Sequence, residues 1–150
     1  MKLAEALIER ADLQKRLDQL EERLHSNALV QEGEEPAEDP ASLLAELVSL
    51  SDSLESIITR INLTNSATEV NGVTLTALIA KRDCLKRRIN VTRRFLQTAS
   101  STAMRSRGSE IIVKSTVPVR ELQKTADELS KTLRETDTAI QAANWSTDLL

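Results

Sequence analysis

The sequence predicts a mainly α fold: an antiparallel up-down four-helix bundle with a small two-stranded β element capping one end. Three observations carry that prediction. Apolar residues recur at alternating steps of three and four through four long stretches, the spacing of a core-facing helical seam. Glycine and proline number three each in 150 residues, too few for the turns of an all-β fold. Around residues 110–117 the pattern switches to alternation with high β-branched content, the mark of a strand.

The first helix is expected over residues 2–27, with Leu3, Ala6, Leu13, Leu17, Leu20 and Leu24 on its seam. Arg10 occupies one seam position. Residues 28–39 form a connection that opens on the apolar run Ala28, Leu29, Val30 and then carries Glu32, Glu34, Glu35, Glu38 and Asp39. The second helix runs from Asp39 to about residue 69. Asp39 is an N-cap acceptor, and Pro40 follows where a missing N–H costs nothing. Its seam is Leu43, Leu47, Leu50, Leu54, Ile57 and Ile61, then turns polar at Thr64 and Thr68.

Asn71-Gly72 is a turn signal. Thr74 caps a third helix reaching about residue 101, with Leu75, Leu78, Leu85, Ile89, Thr92, Leu96 and Ala99 on its seam and Arg82 interrupting it. Residues 100–109, with Gly108, read as a polar loop, and 110–117 as a strand. Pro118 opens the fourth helix, whose seam is Leu122, Ala126, Leu129, Leu133, Thr136, Ile140 and Ala143. Residues 144–150 are a short tail. In an up-down order the connections 28–39 and 102–117 emerge at the same end, so 28–31 and 110–117 are expected to pair as the capping ribbon. A ribbon that small needs packing on the bundle or pairing with another subunit. Residues 1–150 are read as a single domain.

Several stretches, MKLAEALIERADLQKRL, NALVQEGEEPAEDP, TRINLTN, KRDCLKRRI and NWSTDL, together resemble a family of small bacterial helical proteins that carry the name septicolysin. The resemblance spans nearly the whole chain. It implies an α-helical fold with a small β element, and no catalytic residues come with it. The name implies a pore-forming, thiol-activated cytolysin. Such toxins are large, β-rich and tipped with tryptophans, whereas this chain has one Trp and a helical pattern, which disfavours membrane insertion.

Composition narrows the partners. Phe95 and Trp145 are the only aromatic residues, so the core must be aliphatic and a base-stacking platform is disfavoured. Cys84 is alone, which excludes an intrachain disulfide and fits a reducing cytoplasm. Charges at Lys2, Glu5, Glu9 and Arg10 exclude a signal-peptide core, and no uncharged run approaches the roughly 18 residues of a membrane span. A cytoplasmic location is expected. Residues 74–107 hold nine basic residues and one acid, which invites a nucleic-acid reading. On a helical wheel, however, Lys86/Arg93, Arg87/Arg94 and Lys81/Arg88 point about 100° apart in turn. That distribution favours ion pairing with the acidic segment, within or between subunits, over nucleic acid.

No catalytic constellation is legible. Glu22 and His25 have the Glu-x-x-His spacing of di-iron bundles, but such sites need two of these motifs, and His25 is the only histidine. No metal or other cofactor is expected. The candidate binding residues are Arg10, Asn62, Asn65, Arg82 and Asp83, a polar layer where the seams soften at Thr64, Thr68 and Thr136, with Glu5 and Asn144 nearby in level. A guanidinium entering a helix seam must be paired or reach water. The layer is therefore either a structural network, with Glu5 and Asp83 as the matching acids, or a pocket where Arg10 and Arg82 grip an anion. The expected function is a non-catalytic, cytoplasmic, self-assembling helical protein. The alternative is a small-anion-binding protein or enzyme acting through the Arg10–Arg82 layer.

Overall fold

The computed structural model describes residues 1–102 and 111–150. It contains four helices, α1 (Leu3–Ser26), α2 (Pro40–Ala67), α3 (Leu75–Ala99) and α4 (Val119–Ser146), with strands β1 (Glu69–Val70) and β2 (Val73–Thr74) between α2 and α3. The chain forms two compact units. Met1–Thr74 with Ala142–Leu150 make the first, and Leu75–Gln141 the second.

In the first unit α1 and α2 run antiparallel. Arg23, late in α1, reaches Glu46, early in α2. At the opposite end, Leu149 N–H bonds the Met1 carbonyl while Leu150 N–H bonds Thr64, late in α2. The helix starts follow from local chemistry. Asp39 accepts from the backbone N–H groups of Ala41 and Ser42 at 3.3 and 3.1 Å, covering donors that have no intrahelical partner. Glu5 accepts from Lys2 N–H at 2.6 Å at the start of α1. The core is aliphatic, as the composition requires: Leu3, Leu13 and Leu20 of α1 and Leu43, Leu50, Ile57 and Ile61 of α2 are all buried. Full burial of one such side chain is worth about 1.5–3 kcal/mol.

In the second unit α3 and α4 are antiparallel too. Arg93 meets Asp127 and Ser130, and Arg82 meets Asp137. Leu75, Ile89, Leu96, Ala126 and Ile140 are buried.

The β element differs from expectation in its location. β1 and β2 pair antiparallel, with Glu69 opposite Thr74 and Val70 opposite Val73. They are joined by Asn71 and Gly72 at φ 53° and 78°, the two positive values of a type I′ hairpin. Residues 28–31 form no strand, and neither do 111–117. A β-branched run supplies propensity but becomes a strand only when it is paired along an edge. Glu110, Gly108, Arg105 and Arg107, and most of the expected polar loop, lie outside the described residues.

Candidate functional site

The two seam arginines are treated differently by the fold. Arg82 is closed off. Its Nε and Nη2 both lie 2.9 Å from Asp83 Oδ1, and Nη1 is 3.7 Å from Asp137 Oδ1. Only 22% of the Arg82 side chain is exposed, and two carboxylates offset its charge. That arrangement is an ion-pair cluster. Asp83 was recognisable in the sequence, whereas Asp137 comes from α4 and was missed. Arg10, in the first unit, is half-buried, and its Nε is buried without a hydrogen-bond partner among the described residues. Glu5 serves the α1 N-terminus and not Arg10.

The softened seams also resolve locally. Thr64 Oγ1 donates to the Arg60 carbonyl at 2.8 Å, and Thr136 Oγ1 to the Thr132 carbonyl at 2.8 Å. Hydroxyls bonded to their own preceding turn need no ligand. Asn62 is exposed and Asn65 half-buried on α2. His25 is exposed, with Nε2 3.7 Å from Glu21 and not turned to Glu22. Among the described residues no three His, Cys, Asp or Glu side chains cluster as metal ligands.

Two further features were not anticipated. The first is the join of the chain's ends in the first unit. Lys2 and Asp148 form an antiparallel bridge, Leu3 N–H donates to the Thr147 carbonyl at 3.0 Å, and Lys2 Nζ sits 2.8 Å from Asp148. That ammonium holds the Asp148 carboxyl below its ordinary range. Arg60 Nε donates to the Leu150 main-chain oxygen at 2.7 Å.

The second is the clasp at the base of the 28–39 loop. Arg23 Nε and Nη2 grip both oxygens of Glu38 at 3.0 and 2.6 Å. This hydrogen-bonded pairing pushes the Glu38 carboxyl down and the Arg23 guanidinium up. Buried Asn27 stitches the same ends together, donating to the Arg23 carbonyl at 2.8 Å and accepting from Glu38 N–H at 2.9 Å. At the tip, Glu34 N–H bonds the Gln31 carbonyl at 3.0 Å across Gly33, whose φ is 87°. Positive φ at the third residue suits glycine. The loop is thus a shaped projection, with Leu29 90% exposed and Glu32, Glu34 and Glu35 exposed and making no ion pair among the described residues.

The outer face of α3 concentrates charge that makes no ion pair among the described residues. Arg82 and Arg93 have acidic partners, while Lys81, Lys86, Arg87, Arg88 and Arg94 make no ion pair among the described residues. Ala80, Cys84, Val91 and Phe95 are exposed and, at 100° per residue, lie within about 60° of one another. Arg87 and Arg94 border this apolar stripe on one side, Lys81 and Arg88 on the other. A shallow cleft of about 110 Å³ is lined by Arg87, Asn90, Val91 and Arg94.

A family model described as a family of unknown function, DUF6847, matches residues 10–149. The chain belongs to the DUF6847 family. This DUF6847 chain is also similar to a solved structure, described as the crystal structure of a functionally unknown conserved protein from Corynebacterium diphtheriae. The two share 39% sequence identity with a TM-score of 0.92, covering 100% of this chain and 99% of that one. None of the curated proteins matches the DUF6847 chain. Neither match carries the name septicolysin. No helix of this DUF6847 chain, among the described residues, is long and apolar enough to cross a membrane.

Proposed function

We propose that this protein is a non-catalytic interaction protein of the cytoplasm that assembles with copies of itself. The observation that supports this reading is the outer face of α3, an apolar stripe bordered by cations that make no ion pair among the described residues. Such a face is costly to leave in water and complementary to an anionic, partly apolar partner. The same chain exposes such a partner in its 28–39 loop. Sedimentation velocity of the full chain over a wide concentration range at moderate salt tests the reading. A discrete oligomer is expected, weakening as salt screens the exposed charges, since the screening length falls from about 8 Å at 0.15 M to about 3 Å at 1 M. A monomer at every concentration overturns it.

The second reading, binding of a small anion, has one observation in its favour, the buried and unpartnered Nε of Arg10. A ligand that binds only the native state must raise its stability. Thermal shifts with phosphorylated and carboxylate metabolites, present in the wild type and absent in Arg10→Met, are the signature of that reading.

A further inference from the structure

If copies of this chain associate, the charge pattern restricts how. A contact made by one of these surfaces alone places it against its own copy across a two-fold axis. Two α3 outer faces brought together oppose Arg87 and Arg94 to their like, and two 28–39 loops oppose Glu32, Glu34 and Glu35 to theirs. Like charges facing each other across an interface are disfavoured. The complementary combination is one face of each kind. Leu29 and Val30, 90% and 49% exposed, stand immediately before the three loop carboxylates. Val91 and Phe95, 57% and 46% exposed, stand among the α3 arginines. Each surface therefore offers an apolar centre with a charged margin, opposite in sign to the other. Apolar anchors inside a polar rim are the usual anatomy of a binding patch.

The loop is also prepared for docking. The Asn27 stitch, the Arg23–Glu38 pair and the Gly33 turn hold its shape in the free chain, so less ordering entropy is lost on contact than for a floppy loop. Resting on the self-assembly reading, we infer that the contact between copies joins unlike patches: the outer face of α3 in one copy seats the 29–35 loop of another. Exchanged reciprocally about a two-fold axis such a contact makes a dimer; otherwise it closes into a larger ring or grows into an open chain.

Two variants of the full chain test it by mixing. One loses the α3 face through Arg87→Ala, Arg94→Ala and Phe95→Ser. The other loses the loop through Leu29→Ser, Glu32→Gln, Glu34→Gln and Glu35→Gln. All these side chains are exposed, so circular dichroism should match the wild type. Each variant alone should sediment as a monomer. An equimolar mixture should give a 1:1 heterodimer and nothing larger, because one intact loop meets one intact α3 face and no further surfaces remain. A milder pair, Arg94→Gln alone and Glu34→Gln with Glu35→Gln, carries the same comparison if either multiple variant is misfolded, with weakened assembly expected in each alone. Wild-type oligomers that survive in both variants, or a mixture that stays monomeric, overturn the loop-on-α3 contact while leaving self-assembly standing. A monomeric wild type overturns both.

Discussion

Arg10 and Arg82 occupy equivalent-looking positions, each a single cation interrupting an aliphatic seam, yet their surroundings make opposite demands on stability. Arg82 is held by Asp83 and Asp137, so removing it leaves two carboxylates without their counter-charge. Both acids remain partly exposed, which limits the cost. Arg82→Met should lower stability by about 1 kcal/mol. Arg10 Nε is a buried donor with no partner among the described residues, and an unsatisfied buried donor costs about 1–3 kcal/mol. Arg10→Met, which keeps most of the volume, should therefore raise stability by about 1 kcal/mol. Urea midpoints of the two single variants check this: shifts of the same sign would show that the local pairing does not govern either residue. The sequence made the pairing of Arg82 with its neighbour Asp83 legible and suggested Glu5 for Arg10. Glu5 instead satisfies a backbone donor at the helix start, a competing use of a carboxylate that spacing alone does not rank.

At the scale of elements, helices were legible and strands were not. Every helix lies within a few residues of its expected bounds because each seam runs for six turns or more, and the Asp39-Pro40 start adds an independent signal. The hairpin strands β1 and β2 are two residues each, too short to show alternation, so only their Asn71-Gly72 turn could be read. Residues 111–117 show the opposite case, strong alternation in a segment that is not a strand. The 28–39 connection is clasped at its base by contacts that its acidic composition does not announce, and that clasp has a pH signature. Glu38 has a folded-state pKa depressed by Arg23. Its stabilising contribution is fully present above the ordinary glutamate value of about 4.3 and is lost as pH falls through the lower folded value. Glu38→Gln should thus lower Tm at pH 7, and the difference from wild type should shrink towards pH 3. A difference that persists unchanged into acid would place the role of Glu38 in packing rather than in its charge.

For the molecule as a whole, the least legible feature is that the tail returns to the start of α1 and the end of α2 within one unit. No periodic pattern encodes it. The pairing joins main-chain groups of Met1, Leu3, Ser146, Thr147, Leu149 and Leu150 with the side chains of Lys2, Arg60, Thr64 and Asp148. Its energetics differ from those of the core. A net hydrogen bond contributes about 0.5–1.5 kcal/mol, whereas ordering one residue's backbone costs about 1–2 kcal/mol. A four-residue tail held by a few such bonds is therefore expected to open by itself, without unfolding the helices. Hydrogen exchange should show this as low protection at the Leu149 and Leu150 amides against high protection at Leu13 and Ile57. The opening should also respond to pH. Asp148 is depressed by Lys2, so the ion pair supports closure above the ordinary carboxylate range and is lost as pH falls through the depressed value. Protection factors at Leu149, corrected for intrinsic exchange, should decline in acid for the wild type and stay lower and flat for Asp148→Asn. If the Leu149 amide instead exchanges only with global unfolding, at the rate of Ile57, the tail belongs to the cooperative core and is held by more than its few hydrogen bonds and one ion pair.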